Sequence, residues 1–300
     1  MSNIPFVEKY RPTEMKDIIL NNINKIIIEN IIKCKTYPNL LLYGPPGTGK
    51  TTTIINLVRN IQNNNTNKSL LLHLNASDER GIDTIRNQIT KFINSKPLFS
   101  NGVKFIVLDE VDYMTKSAQQ ALKLLLQQYT KNAVFCLMCN YISKIDSFLK
   151  SEFIELKFNA LPKNEVIGFL RNICKKENIE IPKEHLEQIQ ELYQNDVRSM
   201  INYIQLNYQN RITSTNMFTK PNAIKLYDKM IQEIPSKRKN MVIEYCIRCN
   251  ITPKYLIITL LCILVKNKKI IDNELIKKFE LAIHEDQYNI YEIDYLLELF

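Results

Sequence analysis

The chain has 300 residues, 45% of them apolar, and a formal net charge of +9. It is long enough for more than one domain with its own core, and its charge points to an anionic partner, nucleic acid first. The seven cysteines are an odd number without small-scaffold spacing, which argues against a disulfide framework.

The first residues, Met1-Ser2-Asn3-Ile4-Pro5, lack a basic region followed by an apolar one, as a secretory leader would have. The longest apolar run, Tyr255 to Val265, is too short to span a bilayer and reads as a buried helix. A soluble, intracellular protein without a membrane partner is expected. Two C-x-x-C pairs occur, Cys136/Cys139 and Cys246/Cys249. The first lies in a strand-like run where odd spacing puts the two thiols on opposite faces, and the second in a helical stretch, so a structural metal is not expected.

A helix is expected from Asn22 to Lys33, then a strand from Leu40 to Tyr43. Next comes Gly44-Pro45-Pro46-Gly47-Thr48-Gly49-Lys50-Thr51, which fits the phosphate-loop pattern G-x-x-x-x-G-K-[ST] and precedes a helix expected from Thr51 to Asn60, with Thr52 in its first turn beside the phosphates. Glycines let the backbone curl its N–H groups toward phosphate oxygens, and the new helix adds its unpaired N–H groups and positive dipole end. Lys50 can reach the outer phosphates of ATP, and the Thr51 hydroxyl can ligate Mg²⁺.

Further strands are expected over Leu70–Leu74, Phe105–Leu108, Ala133–Cys139 and Ile154–Phe158. Helices fit between them, at Ile82–Asn94 and Ser117–Gln128. The strands are mostly apolar without clean alternation, as in a parallel sheet covered on both faces. The third ends in Asp109-Glu110-Val111-Asp112. Beside a phosphate loop, the first acid suits a metal ion and the second an attacking water. Asp109 is therefore assigned to Mg²⁺ and Glu110 to the water.

After Phe158 helical periodicity takes over. Pro162 fits the first turn of a helix ending near Lys176, Pro182 opens another, and Asp196 caps one running to about Tyr208. The polar stretch from Asn210 to Pro221 reads as a linker. The resulting division is an α/β nucleotide-binding domain over 1–159, a helical lid over 160–221 and a helical C-terminal domain over 222–300.

The motif set resembles the small subunits of replication factor C, the clamp loader among the AAA+ ATPases. Val7-Glu8-Lys9-Tyr10-Arg11-Pro12, the glycine loop, Leu74-Asn75-Ala76-Ser77-Asp78-Glu79-Arg80-Gly81-Ile82, Leu108-Asp109-Glu110-Val111-Asp112 and Cys139-Asn140-Tyr141 carry that resemblance. It implies an AAA+ fold with a helical lid and an all-α collar, and an ATPase that loads a ring clamp onto primer–template DNA within a hetero-pentamer. It also implies a place in the nucleus or a viral replication compartment.

By the same resemblance, Val7, Tyr10 and Arg11 line the adenine pocket, Asn140 senses the γ-phosphate, and Arg198 in Asn195-Asp196-Val197-Arg198 contacts phosphate from the lid. The family has glycine where this chain has Asn195. Arg80, Arg86 and Lys91 fall near the DNA backbone, where helix cations can track phosphates without reading bases. The alternative for these cations is a solvated helix face. Leu98 and Phe99 sit where the family touches its clamp, and suit either a partner's pocket or their own core.

Two departures stand out. Ser151-Glu152-Phe153 replaces the family's Ser-Arg-Cys, whose arginine reaches the neighbouring subunit's ATP, and Lys123-Leu124 stands where two arginines are common. Hence the chain is expected to need an arginine from a neighbour without supplying one, as at an end position of a pentamer whose subunits form a spiral. A nucleotide-binding scaffold with little turnover and another AAA+ DNA machine are the competing readings.

Overall fold

The computed structural model describes residues 4–62, 70–77, 82–95, 102–129, 132–209, 220–233, 235–249, 251–252, 255–256 and 258–260. The chain divides into two compact units, Met1–Glu180 with Gln190–Gln205, and Ile181–Ile189 with Leu206–Phe300.

The first unit is built on five strands: β1 (Leu40–Tyr43), β2 (Leu71–Asn75), β3 (Lys104–Asp109), β4 (Ala133–Cys139) and β5 (Ile154–Lys157). They form one parallel sheet in the order β2-β3-β4-β1-β5. Every residue of β4 is buried. Phe135, Leu137 and Cys139 join one core, and Val134, Cys136 and Met138 join the other. Burial on both faces explains why the sequence of β4 does not alternate. It also separates Cys136 from Cys139, as their spacing requires.

Helices α2 (Asn22–Cys34) and α3 (Lys50–Ile61) cover one face with Ile28, Ile31, Ile54, Leu57 and Val58. Helices α4 (Ile82–Asn94) and α5 (Lys116–Tyr129) cover the other with Ile85, Ile89, Ile93, Leu122 and Leu126. Their apolar residues recur at helical spacing, and each buried Leu or Ile contributes about 1.5–3 kcal/mol. The N-terminus of α2 is capped by Asn21, whose side chain accepts from the Asn24 N–H at 2.8 Å.

Two four-residue helices were not read from the sequence: α1 (Phe6–Lys9) and α6 (Ser147–Lys150). Both are too short to show a period. Helices α7 (Lys163–Lys176), α8 (Lys183–Tyr193) and α9 (Val197–Gln209) follow the sheet. Asp196 caps α9 by accepting from the Ser199 N–H at 3.0 Å and the Ser199 hydroxyl at 2.7 Å.

In the second unit α10 (Lys220–Gln232) and α11 (Pro235–Cys249) pack Ala223, Leu226, Met230, Val242 and Tyr245 together with Cys246 and Cys249. Because α10 starts at Lys220, Pro221 belongs to its first turn and not to the linker. A proline is tolerated there because its missing N–H has no intrahelical partner. Among the described residues, no helix is long and apolar enough to cross a membrane, and no cluster of metal-binding side chains occurs.

Candidate nucleotide site

The glycine loop leaves the carboxyl end of β1, which lies between β4 and the border strand β5. Three glycines have positive φ: Gly44 at 142°, Gly47 at 72° and Gly49 at 91°. Two are also pressed from outside. A β-carbon on Gly44 would lie 1.9 Å from the Phe158 carbonyl, and one on Gly47 1.8 Å from Asp196 Oδ1. Gly49 has open space around it and is needed for its backbone angle alone. This curl delivers the chain into α3, whose first residues, Lys50, Thr51 and Thr52, line the cleft.

Lys50 is buried, and its ammonium donates to the carbonyls of Gly44 at 2.7 Å and Pro45 at 2.9 Å and to Asn140 Oδ1 at 3.0 Å. Gly44 and Pro45 thus serve as seats for Lys50, whereas Pro46, Gly47, Thr48, Gly49, Thr51 and Thr52 line the cleft itself. Burial lowers the Lys50 pKa from its ordinary value, Asp109 opposes that shift, and the nearby charge of Arg198 adds to it. Two cations facing one space suit a polyanion.

The Thr51 hydroxyl donates to Asp109 Oδ2 at 3.0 Å, and Asp109 Oδ1 accepts from the Glu110 N–H at 2.9 Å. The two oxygens assigned to Mg²⁺ are therefore neighbours, joined by an exchangeable hydroxyl proton. Hydroxyl and carboxylate are the hard oxygen donors Mg²⁺ prefers, so the residues fit the ion. Glu110 stands at φ 57°, a left-handed conformation that turns the chain sharply at the strand's end. Glu110 and Asn140 line the same cleft.

Arg198 comes from the first turn of α9 and lines the cleft while remaining exposed. The Val197 N–H donates to the Gly47 carbonyl at 3.2 Å, so the start of α9 rests on the loop. Asn195 has found a use for its side chain: its Oδ1 accepts from the Leu161 N–H at 3.2 Å, where the chain leaves the sheet for α7.

Val7, Tyr10 and Arg11 line the same cleft. Sequence reasoning missed apolar residues of the same lining, Ile18, Ile19, Phe169 and Ile201. They come from three separate places in the chain, and only the fold brings them together. Arg11 Nε donates to Thr52 Oγ1 at 3.3 Å, and Asn56 Nδ2 donates to the Pro12 carbonyl at 2.8 Å. Both contacts tie the N-terminal segment to α3.

Arg86 and Lys91 are exposed on α4, whose other side buries Ile85, Ile89 and Ile93. They stand about 140° apart around the helix axis, flanking its exposed face without forming one stripe. Arg80, Leu98 and Phe99 lie outside the described residues. Glu152 is half-buried just after α6, and Lys123 sits 5.0 Å above the ring of Phe148.

Residues 40–159 match the family described as "ATPase family associated with various cellular activities (AAA)". Sheet and cleft together are thus those of an AAA domain. More specifically, the chain is a homologue of replication factor C small subunits. It is 38% identical over 215 residues to replication factor C subunit 5 of Mus musculus, covering 72% of this chain and 61% of that relative. It is 39% identical over 203 residues to replication factor C subunit 3 of Saccharomyces cerevisiae, covering 68% and 59%. The aligned chain spans about three fifths of the length of these relatives. The fold is shared with the Thermotoga maritima RuvB Holliday junction branch migration motor, at TM-score 0.56 and 15% identity over 97% of this chain and 90% of that one.

Proposed function

We propose that this chain is an ATPase subunit of a clamp loader, which uses ATP binding and hydrolysis to open a ring-shaped clamp and load it onto primer–template DNA. The observation that carries the reading is the meeting of Lys50, Thr51, Asp109, Glu110, Asn140 and Arg198 in one cleft, in a homologue of replication factor C subunits. Loop N–H groups from Gly47 to Thr51 cradle the phosphates. Lys50 and Arg198 neutralise their charge, and Thr51 and Asp109 hold Mg²⁺, with Asp109 acting through water. Bound Mg²⁺ supplies positive charge to the phosphate oxygens and orients them. Glu110 accepts a proton from the attacking water while Asn140 orients it. Val7, Tyr10 and Arg11 hold the adenine.

The three-part division, with a lid over 160–221 and a collar over 222–300 that joins sibling subunits, belongs to the same proposal. DNA phosphates meet Arg80, Arg86 and Lys91, and the clamp meets Leu98 and Phe99. Catalysis draws an arginine from a neighbouring subunit. Glu152 cannot return that service, since a carboxylate repels a triphosphate, and this favours an end position in the pentamer. Replication of this kind places the chain in the nucleus or a viral replication compartment.

The test is ATP hydrolysis by the chain purified with its siblings, with and without primed DNA and clamp, comparing wild type with Glu110→Gln. Stimulation that falls with the substitution supports an active subunit. An unchanged stimulated rate turns the site into a regulatory one, and no stimulation defeats the clamp-loader reading. Glu152→Ala in the mixed complex leaves a neighbour's turnover intact if the end position is right. A scaffold with slow turnover is the second reading, favoured by Glu152 in the finger position.

A further inference from the structure

Glu177 lies just beyond the end of α7 and does not line the cleft. It nevertheless gathers the N-terminal segment. Its Oε1 accepts from Lys9 Nζ at 2.5 Å and also from the Tyr10 hydroxyl. Lys176 stands 5.7 Å from the Tyr10 ring and Lys9 5.3 Å from it, so the phenol is flanked by ammonium groups as well as anchored at its oxygen. Phe6 packs edge-on against the same ring at 5.9 Å, and its N–H donates to Gln205 Oε1 on α9 at 2.9 Å. The helix α1 has no side-chain cap of its own and is too short to hold itself together. Its position is set by α7 and α9.

We propose that Glu177 is a positioning residue for base recognition: it fixes the Tyr10 ring and α1 as the wall of the adenine end, and so makes that wall part of the lid. The inference rests on the nucleotide reading above. The physical basis is a two-donor anchor. The Glu177 carboxylate is only 15% exposed, and a charge-assisted hydrogen bond is about twice as strong as a neutral one. With the carboxylate gone, Tyr10 is free to rotate, and a base arriving at the cleft must first order its own wall, which costs affinity. The phosphate half of the cleft has no contact with Glu177. The loss therefore falls on ligands that carry a base.

The discriminating probe is inorganic tripolyphosphate, which has the charge of ATP's tail and no base. Binding of ATP and of tripolyphosphate to the full chain is measured by calorimetry for wild type, Glu177→Ala, Glu177→Gln, Tyr10→Phe and the Tyr10→Phe/Glu177→Ala double variant. Thermal melts establish that each is folded. Glu177→Ala is expected to weaken ATP about tenfold and leave tripolyphosphate unchanged. Glu177→Gln, whose amide oxygen still accepts from the phenol, recovers part of the loss. The double variant should bind ATP no more weakly than the sum of independent effects, and closer to the weaker single variant.

An unchanged ATP affinity in Glu177→Ala overturns the inference, as does an equal loss of both ligands, which would mark a merely structural role. Failure of wild type to bind ATP overturns the nucleotide reading and this inference with it. Wild-type binding with an indifferent Glu177→Ala overturns this inference alone.

Discussion

Gly47 and Asp196 approach so closely that a β-carbon on the glycine would lie 1.8 Å from the carboxylate. Asp196 cannot swing aside cheaply, because it caps α9 through Ser199. Gly47 also needs φ 72°, which costs other residues about 1–2 kcal/mol. Gly47→Ala should therefore unseat the start of α9, and Arg198 with it. Titration with a fluorescent ATP analogue is expected to show at least about a tenfold loss. Gly168→Ala, in α7 with open space around it, is the control and should raise stability by about 0.5–1 kcal/mol.

The lowered pKa of Lys50 has two consequences of opposite sign. The unfolded chain keeps this proton up to the ordinary lysine value of 10.5, whereas the folded chain releases it earlier. Across that window folding becomes more favourable as pH rises. Phosphate binding needs the charged ammonium, so ATP affinity should fall as pH rises through the lowered value. Affinity measured at rising pH should decline before 10.5 is reached. Lys50→Met should bind weakly throughout, without that decline.

Lys104 is buried at the start of β3, and its ammonium donates to the carbonyls of Phe92 and Ile93 at 2.7 Å each and to that of Ser95. These are the orphan carbonyls at the end of α4. A cation there satisfies three acceptors and opposes the negative end of the helix dipole. Lys104→Met fills the space and leaves the carbonyls unpaired. It should cost about 1–3 kcal/mol in denaturant unfolding.

The thiols should divide by reactivity. Burial pushes Cys136, Cys139 and Cys246 up to about 12 and Cys174 up to about 11, and raises Cys249. Cys34 is exposed. Alkylation of the native chain near neutral pH, followed by peptide mapping, should mark Cys34 and spare these five until the protein is unfolded. Marking of Cys246 or Cys249 in native protein would contradict the packing of α11.

Much of the nucleotide-binding half was readable because its signals are local. The loop declares itself by glycine spacing, and β3 by an apolar run ending in Asp109 and Glu110. The expected bounds of β1, β4 and α4 agree with those observed. What escaped has no local signal. Helix α1 has four residues and no period, and the contact of Tyr10 with Glu177 joins positions far apart in the chain. Ile18, Phe169 and Ile201 look like ordinary core residues until the fold turns them toward one cleft. Asn195 was visible as a departure from the family glycine, yet its bond to Leu161 depended on where the chain re-enters after the sheet. Its φ is not positive, so nothing in its backbone called for glycine.

The outer strand β5 has one further consequence. It pairs on one side with β1, and exposes Glu155 and Lys157 beside Ile154 along its four residues. A short border strand carrying charges is a poor template for strand addition from another molecule. Near the border's end, Asn21 and Asn24 of the α2 N-terminus occupy the Lys157 carbonyl with hydrogen bonds of 3.2 and 3.0 Å. Strand addition is thereby discouraged at this border, which leaves β2 as the other edge of the sheet.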